Sequence, residues 1–149
     1  MERITINTGL NGFSLVDGIT EVDAANIKGV KHFSDAPIYL GIESLAQIGA
    51  CHVRFLASFE RHAFLLKIIR CKAHMQQILN GAYLLCGTLI SRSKSASVYK
   101  LYAKKGDKLQ IEGEFLYATV DYNSIFKKEI LQKHYRNLFS CLKSDSKTD

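Results

Sequence analysis

The spacing of apolar residues predicts a long central helix between two regions of strands. Between residues 42 and 59, apolar and small residues recur at steps of three and four, which is the period of a helix. The residues of this stripe are Ile42, Leu45, Ala46, Gly49, Ala50, Val53, Leu56 and Ala57. Because many of them are small, other backbone can approach closely. Arg54, Glu60 and Arg61 are predicted to mark the solvated side and the end of this helix.

Shorter, more alternating patterns lie on both sides of the helix. Residues 13–22 and 27–33 are candidate strands, and residues 34–37 (SDAP) form a turn-like cluster. After the helix come four candidate strands, at residues 64–71, 82–90, 96–103 and 109–117. Asn80-Gly81, residues 91–95 and Gly106-Asp107 are the expected connections. These four strands predict an antiparallel meander with one solvated face.

A second helical pattern begins near residue 124. Its apolar stripe consists of Phe126, Ile130, Leu131, Tyr135, Leu138, Phe139 and Leu142. We expect this helix to pack on the domain or on a partner; a basic amphipathic helix that touches a membrane surface is the alternative. Residues 143–149 are polar and are predicted to be a flexible tail. The pattern therefore predicts one α+β domain over residues 1–142, in which an antiparallel sheet wraps a central helix.

Composition sets the general class of the protein. The chain has 149 residues, of which 47% are hydrophobic and 23% charged, values typical of a soluble globular domain. No apolar run approaches the roughly 20 residues of a membrane span, and the N-terminus has no pattern of a secretory signal, so a cytoplasmic location is expected. The four cysteines are widely spaced, which favours free thiols over a disulfide framework or a zinc site.

The net charge of +6 suits an acidic partner, such as nucleic acid, anionic lipid, the phosphates of coenzyme A or an acidic carrier protein. The basic residues are scattered, and no aromatic-interleaved RNA-binding motif is present, so nucleic acid is not expected as a partner.

Three short segments carry a family resemblance. Residues 32–38 read HFSDAPI, a glycine follows at position 41, and residues 43–47 read ESLAQ. Residues 13–17 (FSLVD) add an earlier match. Together these segments resemble the hotdog-fold 3-hydroxyacyl-carrier-protein dehydratases, which have a His-Phe-x-x-x-Pro-Ile turn and a helix with Glu-x-Met-Ala-Gln. The short step from Gly41 to Glu43 is more similar to the divergent branch associated with aryl-polyene pathways.

The resemblance implies a set of roles. His32 would be the catalytic base, and Glu43, expected in the first helical turn, would handle the departing hydroxyl. Backbone amides around Gly41 and Ile42 would hold the thioester carbonyl, and Gln47 would orient Glu43 from the next turn. The site would lie at the interface of a homodimer and would need no metal or organic cofactor. If residues 27–33 form a strand, however, His32 is a strand residue and not the equivalent of the catalytic histidine.

Structural explanations compete with each of these roles. Glu43 could simply stabilise the start of the helix, and Gln47 could be a buried amide that satisfies backbone groups. The remaining histidines, at positions 52, 62, 74 and 134, have no motif context and are expected to be structural or exposed.

Three functions remain open. The first is a dehydratase acting on 3-hydroxyacyl thioesters of an acidic carrier protein or coenzyme A, in metabolism of the fatty-acid or polyketide type. The second is an acyl thioesterase, in which a helix carboxylate activates water or attacks the thioester and no histidine is needed. The third is a non-catalytic acyl-binding module.

Overall fold

The computed structural model describes residues 15–74, 78–122 and 128–147. The start of the first predicted strand and of the second predicted helix therefore lie outside the described residues. The elements in chain order are β1 (Gly18–Val22), β2 (Asn26–Ala36), α1 (Ile38–Leu56), β3 (His62–Ala73), β4 (Leu79–Arg92), β5 (Ala96–Lys105), β6 (Lys108–Val120) and α2 (Lys128–Lys147).

The strands form one antiparallel sheet in the order β1-β2-β4-β5-β6-β3. Strands β4, β5 and β6 form a meander, with a turn at Gly106 as predicted. The prediction that β3 belongs to this meander beside β4 was wrong, because β4 is already paired with β2 and β5. Strand β3 pairs with β6 and forms the far edge of the sheet. The turn predicted at Asn80-Gly81 also lies inside a strand, β4.

Helix α1 lies against the inner face of this sheet. The most deeply buried side of the helix carries Leu45, Ile48 and His52. A side chain at Gly41 would come within 2.6 Å of the Ile111 side chain, and one at Gly49 would overlap the Tyr117 ring. These two glycines therefore let the helix approach the sheet closely. Gly49 belongs to the predicted small-residue stripe, whereas Gly41 precedes it.

The start of α1 differs from its prediction. Strand β2 continues through the predicted turn to Ala36, with an irregular register after Phe33 and a left-handed backbone at Asp35 (φ 47°). The helix then begins at Ile38, four residues early, with Pro37 as its N-cap. Proline suits a helix start because its φ is already near the helical value and its missing N–H is not needed there.

Helix α2 packs on the domain with its apolar stripe. Tyr135, Leu138, Phe139 and Leu142 are buried, and the Phe139 ring stacks on Phe55 of α1 at 5.5 Å between centroids. The helix also contacts β1 and continues to Lys147, into the segment predicted to be a tail. Among the described residues, no helix is long and apolar enough to cross a membrane.

The two edges of the sheet differ in length and cover. The β1 edge is a five-residue strand with a bulge, and α2 packs against it. The β3 edge is a twelve-residue strand with four large apolar side chains exposed to solvent: Phe64, Leu66, Ile68 and Ile69. A long apolar edge of this kind is a surface to which another chain can add a strand.

Candidate functional site

Glu43 is an exposed carboxylate in the second turn of α1. It makes no hydrogen bond or ion pair with any of the described residues. At about 3.6 residues per turn, it lies far around the helix from Leu45 and Ile48, which face the sheet. The prediction that it lies in the first turn was wrong, because the helix begins at Ile38. Its value as a helix-dipole partner is correspondingly smaller, since that effect falls off within the first turn.

Large exposed side chains lie near the start of α1. Tyr39, one turn earlier, is 62% exposed, and Ile78, next to the Leu79 that packs against Gly41, is 49% exposed. The Tyr117 hydroxyl donates to the Ala46 carbonyl oxygen at 2.7 Å. Burial raises the pKa of Tyr117 well above its usual value, and the nearby negative charge of Glu43 adds to this. The carboxylate therefore lies on the flank of α1 nearest β6.

Gln47 lies one turn after Glu43 and is half-buried. Its side-chain oxygen accepts a hydrogen bond from the Leu15 backbone N–H at 3.0 Å. The amide therefore satisfies a backbone group, as the structural explanation expected. Its nitrogen makes no hydrogen bond to the part of the chain that the structure describes, so this donor remains available next to Glu43.

The amides predicted to hold a carbonyl, those of Gly41 and Ile42, belong to the interior of the helix. With Pro37 as N-cap, the amides left free by the helical pattern are those of Ile38, Tyr39 and Leu40, and Leu40 donates to the Pro37 carbonyl. The available donors at the positive end of α1, the amides of Ile38 and Tyr39, are therefore three residues earlier than predicted. Gly41 serves close packing on the sheet instead.

His32 is a residue of strand β2. Lys31 and Phe33 on either side of it are buried, whereas His32 is exposed. Gly29, which shares the side of Lys31 and Phe33, faces Ile48 of α1. His32 therefore points to the outer face of the sheet, and its backbone N–H donates to the Asp17 carboxylate at 2.7 Å. The structure does not bring His32 and Glu43 together within one chain.

A buried histidine lies further along α1. His52 is fully buried, and its Nε2 lies 2.7 Å from the Asp23 carbonyl oxygen. Because a carbonyl only accepts, Nε2 carries the proton and Nδ1 accepts from the Tyr99 hydroxyl, 2.5 Å away. Burial lowers the pKa of His52, which is consistent with this neutral form. His52 is structural, as expected from its lack of motif context.

Arg54 is also buried, and the prediction that it marks the solvated side of the helix was wrong. Helix α2 covers it: its guanidinium lies 3.7 Å from the centre of the Tyr135 ring and donates to the Ala63 carbonyl at 2.8 Å. Burial and the charge of Arg54 lower the pKa of nearby His62 to about 4. No local pattern around Arg54 indicates this burial, because the cover comes from a segment about eighty residues later.

No family model matches the chain, and no curated protein sequence does either. Solved structures are similar in fold. A thioesterase from Haemophilus influenzae superposes with a TM-score of 0.60 at 11% identity, covering 69% of this chain and 77% of its own. A thioesterase variant from Pseudomonas aeruginosa gives 0.60 at 10%, covering 69% and 80%.

The dehydratase heterocomplex ApeI:P from Xenorhabdus doucetiae gives a TM-score of 0.63 at 11% identity, covering 76% of this chain and 86% of its own. At such identities the likeness concerns the fold. Together with the sheet that encloses α1, it confirms the predicted architecture: the chain folds as a hotdog domain.

Proposed function

We propose that this protein is an enzyme that acts on acyl thioesters, with Glu43 as its catalytic carboxylate. The observation that carries the proposal is the state of Glu43: it is exposed, it has no partner among the described residues, and it lies one helical turn after the exposed Tyr39. An apolar setting with one available carboxylate suits an acyl chain that ends in a reactive carbonyl.

Hydrolysis is the reaction that this geometry supports best. Glu43 would take a proton from water as the water oxygen attacks the thioester carbonyl carbon, and the thiolate would leave as the carbonyl re-forms. The negative oxygen that develops needs donors. The Gln47 side-chain nitrogen and the free amides at the start of α1, at the positive end of the helix dipole, are the candidates.

Dehydration is the second candidate function. It is favoured by the ESLAQ motif at residues 43–47, and one of the similar folds belongs to a dehydratase heterocomplex. Removing water from a 3-hydroxyacyl thioester requires a base for the proton next to the carbonyl and an acid for the hydroxyl. Because His32 lies on the outer face of the sheet, Glu43 would need its second proton carrier from another chain.

We also propose that the working form is a homodimer joined through the β3 edge. Gly41 packs on Ile111, and Ile111 pairs with Ala73 at the end of β3. The start of α1 is therefore close to the β3 edge, and a second copy on that edge would complete the wall of the Glu43 site. Carriage of the substrate by coenzyme A or an acidic carrier protein, and a cytoplasmic location, belong to the same proposal.

Product analysis tests the proposal. The protein is incubated with a saturated acyl-coenzyme A and with a 3-hydroxyacyl-coenzyme A, and free thiol and enoyl product are measured. We expect thiol from the saturated substrate and a loss of about 10²–10⁴-fold for Glu43→Gln. Glu21→Gln, at another exposed glutamate, is the matched control and should not change the rate.

If enoyl product forms and no thiol is released, the reaction is dehydration and not hydrolysis. If no thioester is turned over, or if Glu43→Gln acts like the control, the proposed function is wrong.

A further inference from the structure

A cleft of about 630 Å³ opens at the other end of α1. Ala57, on its wall, is fourteen positions after Glu43, or about 21 Å along a helix. The lining comes from the end of α1, the residue before β3, the segment from the end of β4 to the start of β5, and the end of β6. The lining residues are Val53, Ala57, Arg61, Arg92, Ser93, Lys94, Ser97, Thr119 and Asp121. The volume is within the range of about 300–1,000 Å³ of small-molecule sites.

Arg61 cross-links the walls of this cleft. Its guanidinium donates to the Asp121 carboxylate at 3.0 Å, to the Thr119 carbonyl at 3.1 Å and to the Lys94 carbonyl. One side chain thus ties the end of β6 to the β4–β5 connection. The ion pair with Asp121 also balances the charge of Arg61, and Asp121 is the single acidic residue of the lining.

Two positive charges of the lining remain unbalanced. Arg92 donates to the Leu56 carbonyl at 3.5 Å, a long contact to a neutral group. The Lys94 ammonium makes no hydrogen bond or ion pair within the described part of the chain. The hydroxyl groups of Ser93, Ser97 and Thr119 share the same walls. The Ser93 and Thr119 hydroxyls already donate to the Ala96 and Lys94 carbonyls. The cleft therefore presents two cations as its free donors, which is the chemistry of an anion site.

The end of a helix is by itself unfavourable for an anion, because the dipole is negative there. Arg92 lies where it offsets this effect, since it contacts the carbonyl of the last residue of α1. A ligand with two negative charges would match the two remaining cations, and phosphate groups are the common small ligands of this kind that also accept several hydrogen bonds.

We propose that this cleft binds a phosphate-bearing small molecule, with Arg92 and Lys94 as the contacts to phosphate. The site is separate from Glu43 and does not depend on the proposed function. The phosphate could come from coenzyme A or phosphopantetheine attached to the substrate, or from an unrelated phosphorylated metabolite. Both sources present the same chemistry to the cleft.

Calorimetric titration with pyrophosphate, coenzyme A and pantetheine tests the site on the full chain. We expect pyrophosphate and coenzyme A to bind and pantetheine, which lacks phosphate, not to bind at the cleft. The double variant Arg92→Gln/Lys94→Gln should weaken pyrophosphate binding by about 10–100-fold, from the loss of charged hydrogen bonds. Lys104→Gln/Lys105→Gln removes the same charge outside the cleft and should bind like the wild type.

If the double variant folds poorly, Lys94→Gln alone repeats the test, because the Lys94 ammonium has no partner among the described residues. This single variant should weaken pyrophosphate binding several-fold. Absence of pyrophosphate and coenzyme A binding to the wild type, or equal weakening in both double variants, would overturn the proposal. Glu43→Gln should bind pyrophosphate normally, which separates this test from that of the proposed function.

Kinetics distinguish the two sources. If the cleft holds the substrate's own phosphate, Arg92→Gln/Lys94→Gln should raise KM for an acyl-coenzyme A but not for the matching acyl-pantetheine. If it serves a separate metabolite, neither KM changes although pyrophosphate binding is lost.

Discussion

The two halves of α1 differ in the environment of their ionisable residues. In the second half, His52 and Arg54 are buried, and each is bonded to groups of the sheet or its connections and packed on a tyrosine. In the first half, Glu43 is exposed and is bonded to none of the described residues. Both halves contain residue types that occur in catalytic sites, but in the second half these residues stabilise the fold.

A perturbed pKa is a poor guide to the active site of this protein. His52, His62 and Tyr99 have perturbed pKa values, and perturbed groups are common at active sites. Here burial is the first cause of each shift, and no substrate is needed to explain them. Glu43 shows no such structural use. An exposed carboxylate that is bonded to none of the described residues is better explained by something outside the chain.

The largest expected effect comes from the β3 edge. Leu66→Lys places a charge among the exposed apolar residues that we assign to the dimer interface, and desolvating a lysine there is costly. We expect the variant to be a monomer by analytical ultracentrifugation and to lose most thioester turnover. Ile90→Lys, at an equally exposed residue of β4, is the control and should leave both unchanged. An active Leu66→Lys monomer would show that the site lies within one chain.

Tyr99→Phe should act on stability alone. It removes the hydroxyl that donates to His52 and leaves Nδ1 buried without a donor, at a cost of about 1–3 kcal/mol. The free energy of unfolding in urea should fall by this amount, while turnover per folded molecule stays near the wild-type value. Tyr102→Phe, at a less buried position of the same strand, should cost less. An equal cost for both would mean that the His52 contact contributes nothing.

Acid should weaken the covered half of α1 in a defined window. His52 and His62 are neutral in the fold, with pKa values lowered by burial, for His62 to about 4. The unfolded chain takes up protons near its usual pKa of about 6.5, so it binds more protons below that pH. Stability should be fully present above about pH 6.5 and decline as the pH falls towards about 4.

Urea midpoints measured between pH 7.5 and pH 4.5 check this decline. His62→Gln should make the decline shallower, because one of the three described histidines whose pKa is lowered by burial, His52, His62 and His134, no longer titrates. His32→Gln, at an exposed histidine, is the control and should follow the wild-type curve. A midpoint that does not change with pH would contradict the buried neutral state of these histidines.

The smallest expected effect is that of Gln47→Ala. It removes the hydrogen bond to the Leu15 amide and should lower the free energy of unfolding by about 1 kcal/mol. If the Gln47 nitrogen also assists the thioester carbonyl, turnover should fall more than stability accounts for. Gln110→Ala, whose side chain contacts only its neighbouring carbonyl among the described residues, is the control.

Local patterns were sufficient for much of the fold. The three-to-four spacing of residues 42–59 located α1, and the alternation after it located β5 and β6. The first residue of the helix could not be predicted from the local pattern. Residues 34–36 resemble a turn, but they continue β2 until Pro37 ends the strand. The strand that pairs with β3 could not be predicted either, because strand pairing depends on contacts between residues distant in sequence.

The candidate site could be predicted from the sequence only in part, for the same reason. The ESLAQ motif led to Glu43, whose exposure and neighbours remain compatible with a catalytic role. His32 matched the motif by residue type, but strand alternation places it on the outer face, and this follows only once β2 is known to extend through it. The cleft with Arg92 and Lys94 joins four separate segments, and no local motif marks it.

The proposed division of α1 places the chemistry in its first half and a structural role in its second half. Its most direct test is turnover per folded molecule for Glu43→Gln and Tyr99→Phe, measured side by side on the same thioester. We predict that Glu43→Gln keeps wild-type stability and loses about 10²-fold or more of turnover, while Tyr99→Phe loses stability and keeps turnover. The reverse pattern, an active Glu43→Gln and a folded but inactive Tyr99→Phe, would contradict the account.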